Sequence, residues 1–302
     1  MAHNHSYCNN IQDKKLIWVT VLNFSITLVQ IAGGLISNSL SLLSDALHNL
    51  GDSSAIFIAL LAGKRSRKKP DEHRTFGYKR IEVLAALLNT VVLISICIFL
   101  FYEAYQRFLE PEPIKGKVMF VMATFGLLAN LISVLILNKD KNHSLNIKAA
   151  YIHLLGDTLS SIAVILGGIA IWLFDIIWLD PLITTLVGIY IIYHTWGIAK
   201  ETVDILMQST PVGIDVNAIK ERVEVSDNVD NIHHLHVWKL DDVETHLEAH
   251  INLNKNIDMV NMMIIKVSIE SLLKEEFGIN HITLQMGYDC CQNDSNLIHS
   301  NE

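Results

Sequence analysis

Before Pro211 the chain is dominated by six long apolar stretches, at approximately 16–36, 40–62, 81–102, 118–137, 147–174 and 178–199. A helix that crosses a bilayer needs about 20 mostly apolar residues, and each stretch meets that length. The last third has ordinary soluble composition, with charges spread throughout. Across the chain 51% of residues are hydrophobic and 18% charged, and the mean hydropathy is positive. Two soluble domains would not carry that balance; a membrane domain followed by a water-soluble one would. The expected organisation is a tail over 1–15, an all-α six-helix transmembrane domain over 16–200, a linker over 201–211, a small α+β domain over 212–288 and a second tail over 289–302. The first 15 residues are polar, with His3, His5 and Asp13, so no cleavable signal peptide is expected and the first helix is retained.

Cytoplasmic loops carry an excess of Lys and Arg, which sets the orientation. The segment between the second and third stretches holds Lys64, Arg65, Arg67, Lys68, Lys69 and Arg74, with Lys79 and Arg80 at the start of the third. Lys139 and Lys141 follow the fourth, and Lys14 and Lys15 precede the first. The alternate loops hold few cations and include Glu110, Glu112 and Asp175. Both termini are therefore expected in the cytoplasm. A formal net charge of −8 argues against a nucleic-acid partner, because the basic residues stand beside membrane segments. Cys8, Cys97, Cys290 and Cys291 make no disulfide framework, and the adjacent Cys290 and Cys291 read as free thiols or metal ligands.

An ionisable side chain within a span costs roughly 2.5–3.5 kcal/mol on the insertion scale, so each one needs a reason. The second stretch contains His48 and Asp52, and the fifth contains His153 and Asp157, at the same spacing. Residues at i and i+4 share a helix face one turn apart, so each pair can aim two donor atoms at one position. Two imidazole nitrogens and two carboxylate oxygens form the tetrahedral set that Zn²⁺ favours, and the two carboxylates cancel the charge of the ion. With no metal, two carboxylates side by side in low dielectric must take up protons instead. The expectation is a divalent metal exchanged for protons, with no organic cofactor.

A polar clasp between helices is the plainer reading of one such pair, but the repetition in two helices disfavours it. Asp45 shares the face of His48 and Asp52 and is expected to be a hydrogen-bonding neighbour. Asn23, Gln30, Asn49, Asn89 and Asn130 read as contacts between helices, His194 as structural, and Asp180 as lying near an interface that water reaches. A membrane metalloenzyme would need an open metal position and a general base, for which only Asp45 is on offer. A membrane metal sensor using the same four ligands is the other alternative.

Three motifs carry a resemblance. They are Ser-Asn-Ser-Leu-Ser-Leu-Leu-Ser-Asp-Ala-Leu-His-Asn-Leu-Gly-Asp over 37–52, Arg-Thr-Phe-Gly-Tyr-Lys-Arg-Ile-Glu over 74–82 and His-Leu-Leu-Gly-Asp-Thr-Leu-Ser-Ser over 153–161. With Asp180-Pro181 and the segment 206–211, the chain resembles the cation diffusion facilitators, in the branch linked to cobalt, zinc and cadmium resistance. The resemblance implies a zinc-exporting homodimer in a lipid bilayer, working by alternating access, with transport ligands at His48, Asp52, His153 and Asp157. The two-His set is similar to that of zinc-preferring members. Short loops lean towards a bacterial inner membrane. Arg74 and Tyr78 stand where some relatives have His ligands. Met207 replaces an acidic residue that in some relatives pairs with a cation at the position of Arg80. The loop after the fourth stretch has only His143.

Beyond Pro211 the pattern reads helix, strand, strand, helix, strand, over 216–225, 231–240, 245–253, 259–277 and 281–286, with Asp241 and Asp242 at the hairpin turn. This resembles the family's ferredoxin-like cytoplasmic domain. Alternation places His246, Glu248 and His250 on one face and Leu247, Ala249 and Ile251 on the core face. The resemblance implies a regulatory metal site at His233, His236, His250 and His281, to which His3, His5 and Cys8 could add. Gln285 and Gly287 stand where one subgroup has His and Asp ligands.

Overall fold

A computed structural model describes residues 5–66, 68–138, 145–288 and 297. Within α1, α2 and α5 some residues are described by backbone alone, His153 among them. The expected roles of His3, His5, Cys8, Lys139, Lys141, His143, Cys290 and Cys291 lie outside the described residues or their described side chains.

Six long helices come first: α1 (His5–Ser37), α2 (Leu40–Ser66), α3 (Arg80–Leu109), α4 (Gly116–Asn138), α5 (Leu145–Phe174) and α6 (Leu179–Leu206). Their breaks follow local chemistry. Asn38 and Asp175 take left-handed backbone, with φ of 59° and 53°, at the turns that reverse the chain between α1 and α2 and between α5 and α6; short polar side chains tolerate that region better than most. Pro111 and Pro113 separate α3 from α4. Pro181 falls in the first turn of α6, where its missing N–H would have had no helical partner.

Among the described residues, five of these helices are long and apolar enough to cross a membrane. Part of the apolar second half of α2 lies outside the described side chains; its first half carries Asp45, His48, Asn49 and Asp52. α6 runs on to Leu206, into the segment expected as a linker.

The backbone divides into two compact units, Met1–Leu61 with Ala85–Ala199, and Ala62–Leu84 with Lys200–Glu302. In the first, Leu42, Leu93, Met119, Val164 and Val187 bring α2 to α6 onto one core. Large apolar side chains such as Leu88, Phe99, Leu159 and Tyr193 point outward, as a lipid-facing surface requires. α4 packs closely on α5: a Cβ at Gly168 would lie 3.0 Å from the Phe120 backbone nitrogen. Small residues permit this kind of approach between membrane helices.

The second unit contains α7 (Val216–Glu224), β1 (Val229–Lys239), β2 (Thr245–Leu253), α8 (Met259–Phe277) and β3 (His281–Tyr288). The sheet order is β1-β2-β3, antiparallel for the first pair and parallel for the second. Asp215 and Asp258 cap α7 and α8 by accepting from the Asn217 and Asn261 backbone N–H groups, and Gly278 ends α8 at φ 67°. Asp241 turns the hairpin by accepting from the Val243 and Glu244 backbone nitrogens, at 2.9 and 2.7 Å. Leu247, Ala249 and Ile251 are buried against Ile219, Ile269 and Leu273, as alternation predicts.

Candidate metal centre

His48 and Asp52 lie one turn apart on α2, and Asp157 faces them from α5. His48 Nε2 is 3.4 Å from Asp52 Oδ2 and 3.5 Å from Asp157 Oδ1. One donor atom from each of the three lies within 4.8 Å of the others. His48 and Asp157 are buried and Asp52 is partly so. Three of the four residues singled out from spacing therefore converge. His153 stands four residues before Asp157 on α5, and its side chain lies outside the described residues.

Asp45 is fully buried one turn before His48. Its carboxylate accepts from Ser160 Oγ at 2.7 Å, Ser161 Oγ at 3.1 Å and Gln30 Nε2 at 3.2 Å. It therefore acts as the hydrogen-bonding neighbour expected from sequence, tying α2 to α5 and α1. A buried carboxylate is tolerable only with such donors. Gln30 reaches it because position 126 is glycine: a Cβ there would stand 2.0 Å from Gln30 Nε2. Ser160 and Ser161 were not singled out as anchors; their spacing of three and four from Asp157 on the same helix face was the available signal. Asn130 and Asn23 also bridge helices, to Ser161 Oγ at 3.5 Å and from Ser133 Oγ at 3.2 Å. His194 packs edge-on to Tyr190 and Tyr193.

Asp180 overturns its expectation. It has no exposed surface and caps α2 from a distance of 140 residues in sequence. Its carboxylate accepts from the Leu40 and Ser41 backbone N–H groups, at 2.8 and 3.1 Å, and from Ser39 Oγ and Ser41 Oγ, at 2.7 and 2.6 Å. The Leu42 N–H is taken by Ser39 Oγ at 3.2 Å. The first three orphan donors of α2 are thus satisfied away from water. Arg107 Nη1 lies 3.9 Å from Asp180, and Arg107 Nη2 donates to Asn38 Oδ1 at 2.8 Å. The α1–α2 turn, the end of α3 and the start of α6 are knotted together two turns before His48.

In the soluble unit, the predicted metal-binding histidines fall into two groups. His233 lies against His250, with ring centroids 5.4 Å apart, and His234 stacks on His250 and touches His236, each at 4.8 Å. His234 has φ 52° at the irregularity between His233 and His236 in β1. His281 pairs with His246 instead, at 4.6 Å. Register explains this, since β3 aligns His281 with His246 and Gln285 with His250. His246 is buried; burial first, then the His281 imidazole, holds its pKa below the ordinary value.

A bundle of apolar helices with a buried His–carboxylate cluster defines a multi-pass membrane protein built to handle cations. Residues 16–207 match the family model for the cation efflux transmembrane domain, and 211–287 match that for the cation efflux protein cytoplasmic domain. The chain belongs to the cation efflux family, whose members are transporters and not enzymes. Over 300 residues it is 35% identical to the cadmium, cobalt and zinc/H(+)-K(+) antiporter of Bacillus velezensis, covering 99% of this chain and 96% of the relative. It is 34% identical to the zinc transporter ZitB of Pectobacterium atrosepticum, covering 99% and 93%, and 33% identical to the metal cation efflux system protein CzcD of Cupriavidus metallidurans, covering 99% and 94%.

Proposed function

We propose that the protein exports zinc in exchange for protons, by alternating access to a site formed by His48, Asp52, His153 and Asp157. The convergence of His48, Asp52 and Asp157 from two helices carries this reading. His153, one turn from Asp157, completes a tetrahedral set of two nitrogens and two oxygens. The two carboxylates neutralise the ion, and protons take its place on the return half-cycle. The names of the relatives, zinc transporters and a metal/H(+)-K(+) antiporter, support the same cargo and coupling.

In this reading α2 is the sixth span, both termini are cytoplasmic, and the membrane is a bacterial inner membrane. The protein works as a homodimer. The αββαβ order of the soluble unit supports a ferredoxin-like domain, in which His233, His236 and His250 in one group and His281 in the other supply regulatory zinc ligands.

The test is flux in liposomes containing the purified protein, with several divalent metals competed under an imposed pH gradient. Zinc should move against protons, and Asp157→Ala should stop it. Zinc flux that ignores the gradient would reject the exchange, and full flux in Asp157→Ala would reject the site.

A further inference from the structure

Where α3 begins, a cavity of about 390 Å³ is lined by Arg74, Lys79 and Arg80 together with Phe76, Leu84 and Trp238, and among the described residues no carboxylate lines it. The three cations are in different states. Lys79 Nζ is held by the Glu244 carboxylate. The Arg74 guanidinium lies over the Tyr78 ring, 4.6 Å from its centroid, and the residue is exposed. Arg80 Nε is buried with no hydrogen-bond partner among the described residues, an arrangement that an incoming acceptor would relieve.

Two of the nearby acids are engaged elsewhere. Glu82 accepts from Ser66 Oγ. Asp71 accepts from Tyr78 Oη at 2.7 Å and from the His73 and Arg74 backbone nitrogens, at 3.1 and 2.9 Å. Positive charge in the cavity is therefore only partly neutralised.

Its other wall is apolar and open, with Phe76 57% and Leu84 52% exposed. Arg80 is the first residue of the 30-residue apolar helix Arg80–Leu109, so the cavity sits where the chain passes from water into hydrocarbon. Guanidinium groups match phosphate oxygens in planar, paired geometry, and basic pockets at the membrane ends of helices select anionic headgroups. We propose that this cavity binds an anionic phospholipid, with Arg74 and Arg80 on the phosphate and Phe76 and Leu84 along the acyl chain. With the orientation proposed above, the lipid belongs to the cytoplasmic leaflet.

The full-length protein, delipidated in a non-ionic detergent, can be titrated with phosphatidylglycerol or phosphatidylcholine while thermal unfolding and retained lipid mass are followed. Phosphatidylglycerol should raise the midpoint and stay bound, and phosphatidylcholine should do neither. Arg74→Gln and Arg80→Gln should each weaken phosphatidylglycerol about tenfold, and the exposed Lys274→Gln should not. Arg74 is exposed, so its variant keeps the test open if Arg80→Gln misfolds. Phe76→Ser should weaken the lipid as well, because a lipid needs the apolar wall. Equal stabilisation by phosphatidylcholine, or phosphatidylglycerol binding unchanged in both Arg variants, would overturn the proposal. So would a full midpoint shift from inorganic phosphate alone, which would mark a free-anion site. None of these readouts depends on zinc transport, so a failure here is distinct from a failure of the transport reading.

Discussion

His48 Nε2 on α2 lies 3.5 Å from Asp157 Oδ1 on α5, although the two residues are more than 100 positions apart in the chain. That contact joins two helices that separately carry a His and an Asp one turn apart, and it makes each of these side chains testable as a metal ligand. Replacing His48 by Asp exchanges a single nitrogen donor for a carboxylate that can bind through two oxygens, which suits the larger Cd²⁺ better than the small, tetrahedral Zn²⁺. His48→Asp is expected to raise cadmium transport relative to zinc, measured as the ratio of initial fluxes in the same liposomes; an unchanged ratio would remove His48 from the ligand set.

Asp45 holds α2 against α5 and α1 without belonging to the three-residue cluster. Residues that orient ligands from behind typically change metal affinity by about 10–100-fold when altered. Asp45→Asn should therefore weaken zinc binding by about that factor, with Ser160→Ala giving a smaller loss in the same direction. Calorimetry on the purified protein checks this, and wild-type affinity in Asp45→Asn would refute the positioning role.

Gly126 and Gln30 act on one hydrogen bond. Gly126→Ala pushes the Gln30 amide away from Asp45, and Gln30→Ala removes it. The thermal destabilisation of the double variant should fall well short of the sum of the singles. Strict additivity would mean that Gly126 matters for another reason.

Asp180 satisfies the first turn of α2 from the far end of the membrane domain. Asp180→Ala leaves buried N–H groups without acceptors and exposes Arg107 to an emptied pocket. A loss of about 1–3 kcal/mol is expected, read as a lower thermal midpoint in detergent. Asp180→Asn, which keeps one acceptor oxygen, should lose less. A midpoint within error of wild type in Asp180→Ala would show that the cap contributes nothing.

His246 links pH to stability in the soluble unit. Burial, followed by His281, lowers its folded-state pKa below the unfolded value of 6.5. Between the two values the unfolded chain binds more protons, so stability rises with pH across that window. The contribution is complete above 6.5 and is lost as pH falls through the folded value. The full-length protein should lose thermal stability between pH 7.5 and 5, and His246→Gln should flatten that dependence. Equal slopes in both proteins would assign the effect to other groups.

What the sequence determined is local. Apolar length set the long helices, the i,i+4 spacing placed His48 with Asp52 and His153 with Asp157 on shared faces, and alternation sorted Leu247, Ala249 and Ile251 into the core. These features follow from the geometry of a single helix or strand. The tertiary structure decided which faces meet. It turned α2 and α5 so that Asp157 reaches His48, and it set Ser160 and Ser161 on Asp45. It folded Asp180 onto the start of α2, where sequence alone suggested a residue near water, and it paired His281 with His246 through strand register. Rotation of a helix about its axis and the register of a strand are fixed by side chains distant in sequence, and local periodicity carries no information about either.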